Sequence, residues 1–368
     1  MSKLKTAREA GRKPVPTMIF EAIMLRLGKS PIGIGEYFDY GICDGSVTPS
    51  MRGQFIGWRR SAALDREMNA PQSRILANDK LINHVLLRSA GLPSPEPLAS
   101  FTPHGRRIDG EAVLTTKEQV LAYLRGDVYP FYVKPISAGY GRGVLGVAGQ
   151  EDGPEGVRLR LLDGRLIGLP EFLKPFDFEP YGGMLFQRPL TAHPAIAELT
   201  GSTAVSCVRF ICFVGSSGPV LHTAFWKITV GNNMLDNFSH GDYGNCLGAI
   251  DNASGTVVRA ISRMGPGGEI KQHPGTGLPL LGFVLPDWQR AIELVYSASK
   301  LFPGLRLQNW DVALCPEGPV LLELNTESEL AVPQAISGKG LMDQHLQSIL
   351  ADIERDRAAH VAAVAGPH

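Results

Sequence analysis

Cysteine is scarce in this chain, and where it occurs it is scattered. Cys43, Cys207, Cys212, Cys246 and Cys315 show no metal-type spacing among 368 residues. An odd, dispersed set argues against a disulfide framework and reads as reduced, core-packed thiols of a cytoplasmic protein. Net charge is missing as well, since 36 basic residues balance 36 acidic ones. That speaks against a broad nucleic-acid surface but leaves room for a local anion pocket. No apolar run reaches the length of a membrane span. The basic start MSKLKTAREAGRKP leads into no uninterrupted apolar segment of the kind a signal peptide needs. Ile19 to Leu27 has an amphipathic pattern; most such helices dock on their own core, and a membrane-surface role is the rarer alternative. Fixed-period repeats and low-complexity linkers are lacking. The glycines of Pro31 to Gly41 are isolated turn formers without a dinucleotide fingerprint, and no Gly-x-Ser-x-Gly marks a nucleophile. The nine histidines read as structural or solvent-facing, with His222, His240 and His273 the ones to watch.

What is present is apolar substance and three chemically suggestive stretches. At 44% hydrophobic residues the chain has enough for two to three packed lobes. The first stretch, Leu307 to Leu330, reads as two strands joined at Pro316-Glu317-Gly318. Alternation puts Glu323 and Asn325 on one face, and the returning hairpin brings Asp311 alongside. Two carboxylates and a carboxamide make a hard-oxygen site of the kind Mg²⁺ prefers. The alternative is an edge hairpin whose acids face solvent.

The second stretch is a helix from Asn78, read as its N-cap, to Gly91 at C′, with Leu81, Ile82, Val85, Leu86 and Ala90 as its apolar stripe. Lys80 falls in its first turn, where a solvated surface charge is the ordinary reading. Pro93, Pro95 and Pro97 carry the chain away in extended form. The third stretch runs from a strand ending in Lys134-Pro135 into Ser137-Ala-Gly-Tyr-Gly-Arg-Gly143 and a further strand. Glycines let backbone N–H groups approach phosphate closely, and the lysine adds a point charge. No Gly-Lys-[Ser/Thr] opens a helix, so this is not a P-loop. A plain hairpin turn is the competing reading. A hairpin over Val157 to Leu169, a strand over Met184 to Pro189 that breaks at its proline, and helices over Met51 to Met68, Asp287 to Leu301 and Leu341 to Ala362 complete the outline.

The order of these parts resembles the ATP-grasp superfamily, and more closely its sugar-transfer associated family. The closer likeness rests on His193-Pro194-Ala195, Ser206-Cys-Val-Arg209, Asp236-Asn237-Phe238 and His273-Pro-Gly-Thr-Gly277, and it runs from about residue 35 to 350. The resemblance implies an α+β fold in which two α+β lobes clamp ATP with Mg²⁺. Its parts would be an N-terminal, mostly helical cap (1–75), a lead-in helix and linker (76–110), a small lobe with the glycine loop (111–190), a large lobe with the metal site (191–355) and a tail (356–368). Lys80 and Lys134 would bind phosphates, and Ser137, Gly139, Gly141 and Gly143 would belong to the loop that closes over them. Phe186, Gln187, Arg188 and Leu190 would hold adenine. Asp311, Glu323 and Asn325 would hold Mg²⁺, and Arg209, Lys227 and Asn237 would serve the transferring phosphate. Relatives often carry an acid where Arg188 stands, which leaves the ribose contact open, with His193 either a partner or a helix-capping residue. The implied activity is ADP-forming ligation of a small-molecule carboxylate to an amine or similar nucleophile, in glycan-related or secondary-metabolite biosynthesis. Phosphoryl transfer to a hydroxyl and a non-catalytic nucleotide-binding subunit are the alternatives. A homodimer stays open as an assembly.

Overall fold

The computed structural model describes residues 2–9, 13–28, 31–106, 111–138, 142–153, 156–326 and 330–364. Fourteen strands are found among them, divided equally between a mixed sheet, in which only the first two strands pair in parallel, and a fully antiparallel one. In chain order they are β1 (Pro97–Phe101), β2 (Ala112–Leu114), β3 (Phe131–Pro135), β4 (Leu145–Gly153), β5 (Gly156–Leu161), β6 (Leu166–Gly168) and β7 (Met184–Gln187). The second sheet holds β8 (Val208–Gly215), β9 (Gly218–Ile228), β10 (Cys246–Ile250), β11 (Val257–Ile261), β12 (Glu269–Ile270), β13 (Leu307–Cys315) and β14 (Gly318–Asn325).

The small-lobe sheet runs β2-β1-β7-β3-β4-β5-β6. Residues 76–110, read from the sequence as a helix and linker, contribute β1 to its interior, between β2 and β7. Three prolines around residues 93–97 mask this strand in the sequence, but Ala99 and Phe101 are buried. The core beneath is aromatic. Phe131, Phe172, Phe176 and Phe186 meet with ring centroids 5.2–6.5 Å apart in tilted and edge-on pairs.

The large sheet runs β12-β11-β10-β9-β8-β13-β14. Strand β13 is buried at all nine positions, so both faces of the sheet are covered. On one face Trp310, Val312 and Leu314 pack with Ala291 and Val295 of the helix Trp288–Ser299. That helix therefore packs behind the β13–β14 hairpin. On the other face Ile211, Phe213 and Leu307 pack with Leu64, Ile336, Leu346 and Ile353 from helices Trp58–Met68, Ala331–Ser337 and Gln344–Val364. All five cysteines are buried, and none forms a disulfide among the described residues.

Several local expectations change. The glycine-rich stretch before residue 41 holds a helix, Ile34–Asp39, whose Gly33 N–H is capped by Glu36. Residues 51–68 split into Pro49–Arg52 and Trp58–Met68. Asn78 ends the helix Pro71–Asn78, and the cap of Lys80–Ser89 is Asp79, whose Oδ1 accepts from Leu81 and Ile82 N–H at 3.0 Å. That helix buries Leu81, Asn83, His84 and Leu87 and leaves Val85 exposed. Its buried stripe is therefore rotated from the purely apolar one, because two polar side chains face inward beside the cleft.

Candidate functional site

Strand register assembles the site. Antiparallel pairing sets Arg209 of β8 opposite Asp311 of β13, and Asp311 opposite Glu323 of β14. Phe225 of β9 also faces Arg209, so Lys227, two residues on, shares that face. The hairpin geometry expected of Leu307 to Asn325 is present. Asn325 donates Nδ2–H to Glu323 Oε1 at 3.1 Å and lies 3.5 Å from Asp311 Oδ2.

The small lobe supplies the opposing wall. Strand β3 carries Lys134, and the helix following Asp79 starts at Lys80, whose backbone N–H donates to Ile136 O at 3.1 Å. Lys80 Nζ donates to Ala138 O at 2.6 Å, at the start of the glycine loop. The lobes also meet through the segment after β9: Tyr132 Oη donates to Met234 O at 2.8 Å. Between them lies an open cleft of about 990 Å³, lined among others by Lys80, Lys134, Lys227, Asp236, Asp311 and Glu323.

Of the residues expected at the site, Lys80, Lys134, Gln187, Arg188, Leu190, Lys227, Asn237, Asp311 and Glu323 line this cleft. Phe186 does not; its ring is fully buried in the small-lobe core, because strand alternation turns it away from Gln187. Ser137 and Gly143 flank the loop outside the lining, with Ser137 N–H bonded to Tyr181 O and Gly143 at φ +72°. Gly139 and Gly141 lie outside the described residues. Arg188 forms an exposed ion pair with Glu96 at 2.6 Å, so an acid does stand beside it, supplied by the lead into β1. His193 Nδ1 accepts from Ala195 N–H at 3.2 Å, which makes it a helix cap.

The largest departure concerns Asp311 and Arg209. Asp311 is 2% exposed, and both its oxygens are taken: Arg209 Nε at 2.7 Å, Arg209 Nη2 at 2.6 Å and Lys227 Nζ at 3.1 Å. Lys227 also pairs with Asp236 at 3.1 Å, and Asp236 accepts the Cys207 N–H at 2.8 Å. Arg209 is thus turned onto a carboxylate, and Asp311 serves two cations. The reason is register plus burial: opposite charges on facing strand positions, cut off from water, compensate each other. Burial opposes ionisation of Asp311, but Arg209 and Lys227 hold its carboxyl well below the usual range. Burial likewise opposes charge on Lys227, yet Asp236 and Asp311 hold its ammonium well above its ordinary value.

The two phosphate-candidate lysines shift the other way from Lys227. Burial pushes Lys134 down to about 8, Lys80 adds repulsion, and Glu323 pulls it back up. Burial also lowers Lys80, with Glu323 and Asp79 opposing. Such lowered ammonium groups gain most from a polyanion, which restores their charged form. Behind them a small pocket holds Asn83 and His84, both buried, with Asn83 Nδ2 and His84 Nε2 lacking a hydrogen-bond partner among the described residues. Sequence reasoning passed over these two, and over Tyr132 and Met234, because nothing in a helix or loop pattern announces which polar residue turns inward.

Mg²⁺ suits part of the donor set. Glu323 makes no ion pair among the described residues, and with Asn325 beside it offers a carboxylate and a carboxamide oxygen. Asp311 already has its charge matched within the protein.

The cleft thus has Lys80 and Lys134 on its small-lobe wall and Lys227, Asp311 and Glu323 on the wall of the large sheet. A family model covering residues 59–351 places the chain in the ATP-grasp superfamily. Within it, the chain belongs to the sugar-transfer associated ATP-grasp family. The match begins after the N-terminal helices, short of the start near residue 35 expected from motifs. Among solved structures, a D-Ala:D-Ser ligase from Enterococcus faecalis is similar at 13% identity, with 76% of this chain and 64% of that one covered and a TM-score of 0.43. An L-amino acid ligase from Bacillus licheniformis shares 13% identity over 76% and 48% of the chains, with a TM-score of 0.40. A D-alanine-D-alanine ligase from Coxiella burnetii shares 12% over 82% and 69%, again at 0.40. The chain thus spans less than two thirds of the Enterococcus ligase. Comparison with curated proteins finds no match.

Proposed function

We propose that the protein is an ADP-forming ligase that activates a small-molecule carboxylic acid as an acyl phosphate for attack by an amine or a similar nucleophile. The observation that carries this reading is the convergence of Lys80, Lys134, Lys227, Asp311 and Glu323 on one interlobe cleft in a member of the ATP-grasp family. ATP phosphates would lie against Lys80 and Lys134, under the loop that Gly143 ends. Gln187, Arg188 and Leu190 would line the base. Glu323 and Asn325 would hold Mg²⁺, which when bound neutralises phosphate charge.

The chemistry needs positioning and charge compensation more than a protein nucleophile. A carboxylate oxygen of the substrate attacks the γ-phosphorus, the bond to the β–γ bridging oxygen breaks, and ADP leaves. The amine nitrogen then attacks the acyl carbon, the C–O bond to phosphate breaks, and phosphate leaves as the amine sheds a proton. Lys227, which lines the cleft, would steady the transferring group, with Asp311 and Asp236 keeping it charged, and Arg209, held on Asp311, would support it from behind. Asn237 lines the same wall.

Incubation with ATP, Mg²⁺, pooled carboxylic acids and hydroxylamine tests the proposal. Acid-dependent ADP with a hydroxamate supports it. Phosphorylated hydroxyl compounds in an acceptor screen, with no hydroxamate, would replace it with a kinase.

A further inference from the structure

The helix Val15–Arg26 lies outside the catalytic family match, which starts at residue 59. One of its sides is docked. Met18 and Ala22 are buried against Tyr37, Phe38 and Phe55, with Leu25 packed beside them. Glu21 is on that side too, neutralised by Lys13 at 2.9 Å and by Arg52, and accepting from Tyr37 Oη at 2.8 Å.

The opposite side has no cover. Ile19, Phe20, Ile23, Met24 and Leu27 are between 48% and 77% exposed. At 3.6 residues per turn these five fall in one arc of about 140°. Exposed Arg26 borders that arc beside Ile19. The apolar surface continues past the helix end. Gly57 packs against the Pro31 carbonyl and Trp58 N–H donates to Glu36 Oε1, so exposed Trp58 and Ile34 sit beside Pro31, four residues past Leu27. The Arg59 guanidinium lies over the Trp58 ring, 5.5 Å from its centroid.

Scattered exposed apolar residues need no explanation, but a contiguous face of this kind marks an interaction surface. Its charges select the occupant. Arg26 and Arg59 border it, and the helix's single acid is compensated on the buried side. An anionic lipid surface complements these arginines. Aliphatic side chains flanked by a tryptophan and arginines also match the depth profile of a bilayer interface. The geometry points to a lipid-binding role for this face: it lies in the interface of membranes rich in anionic lipid and holds the catalytic lobes at the surface. No helix among the described residues is long and apolar enough to cross a membrane, so the attachment is peripheral.

Vesicle sedimentation of the full chain tests this. Vesicles of phosphatidylcholine with about one third phosphatidylglycerol should pellet the protein, and pure phosphatidylcholine should pellet much less. The double variant Phe20→Glu/Met24→Glu should reduce partitioning at least tenfold, and Arg26→Glu should reduce it on anionic vesicles while weakening its salt dependence. Both alter exposed side chains, and unchanged urea midpoints would show that the fold persists. Equal, negligible pelleting with both vesicle types would overturn the inference. So would partitioning insensitive to the double variant, or a concentration-dependent dimer abolished by that variant without vesicle binding.

Discussion

Replacing Asp311 by Asn removes one charge and almost no volume, and the structure says what that costs. Asp311 is buried and compensates Arg209 through two short contacts and Lys227 through a third. Removing one member of a buried ion pair costs about 3–5 kcal/mol, because the remaining charge is left desolvated. Lys227 keeps Asp236 at 3.1 Å, so the loss falls mainly on Arg209 and belongs at the lower end, about 3 kcal/mol. Because the folded carboxyl is held below its ordinary 3.8, this contribution is complete above that value and is lost as pH falls through the depressed one. Urea unfolding at pH 7, followed by far-UV circular dichroism, should show a lower midpoint with an unchanged slope. The double variant Arg209→Met/Asp311→Asn should recover part of the loss, since it removes the orphaned cation as well. A single-variant effect under about 1 kcal/mol would refute the claim that Asp311 is spent on charge compensation.

Glu323→Gln should behave in the opposite way. Glu323 carries no ion pair among the described residues, so the urea midpoint should stay near wild type while turnover falls by roughly 100-fold or more; near-normal turnover would remove Glu323 from the metal assignment. The pH dependence of nucleotide binding should report Lys134. Its free-protein pKa is lowered to about 8, so ATP affinity should weaken as pH rises through that value and the ammonium loses its proton. Lys134→Arg, permanently charged, should move that break out of the accessible range. An unchanged profile in the variant would assign the titration elsewhere.

The parts most legible in the sequence were those governed by local rules. Turn chemistry at Pro316-Glu317-Gly318 and strand alternation place Glu323 beside Asp311, and the strand ending at Pro135 delivers Lys134 to the cleft. The resemblance drawn from motif order holds over residues 59–351. What was hidden depends on distant pairing. Arg209 and Asp311 are 102 residues apart, and only the β8–β13 register brings them into contact. Strand β1 was masked by prolines whose missing N–H groups weaken every strand signal, although Ala99 and Phe101 pair across both neighbouring strands. The cap at Asp79 was displaced by one residue because Asn78 and Asp79 cap equally well, and the structure shows helix Pro71–Asn78 using the first.

The most direct test of the account follows oxygen. With the acid found by hydroxamate trapping and labelled with ¹⁸O in its carboxylate, turnover with ATP and an amine should place one ¹⁸O in the released phosphate, read as an isotope shift in ³¹P NMR. Transfer of that label is what an acyl phosphate requires. Released phosphate free of ¹⁸O, or turnover yielding AMP and pyrophosphate, would contradict it.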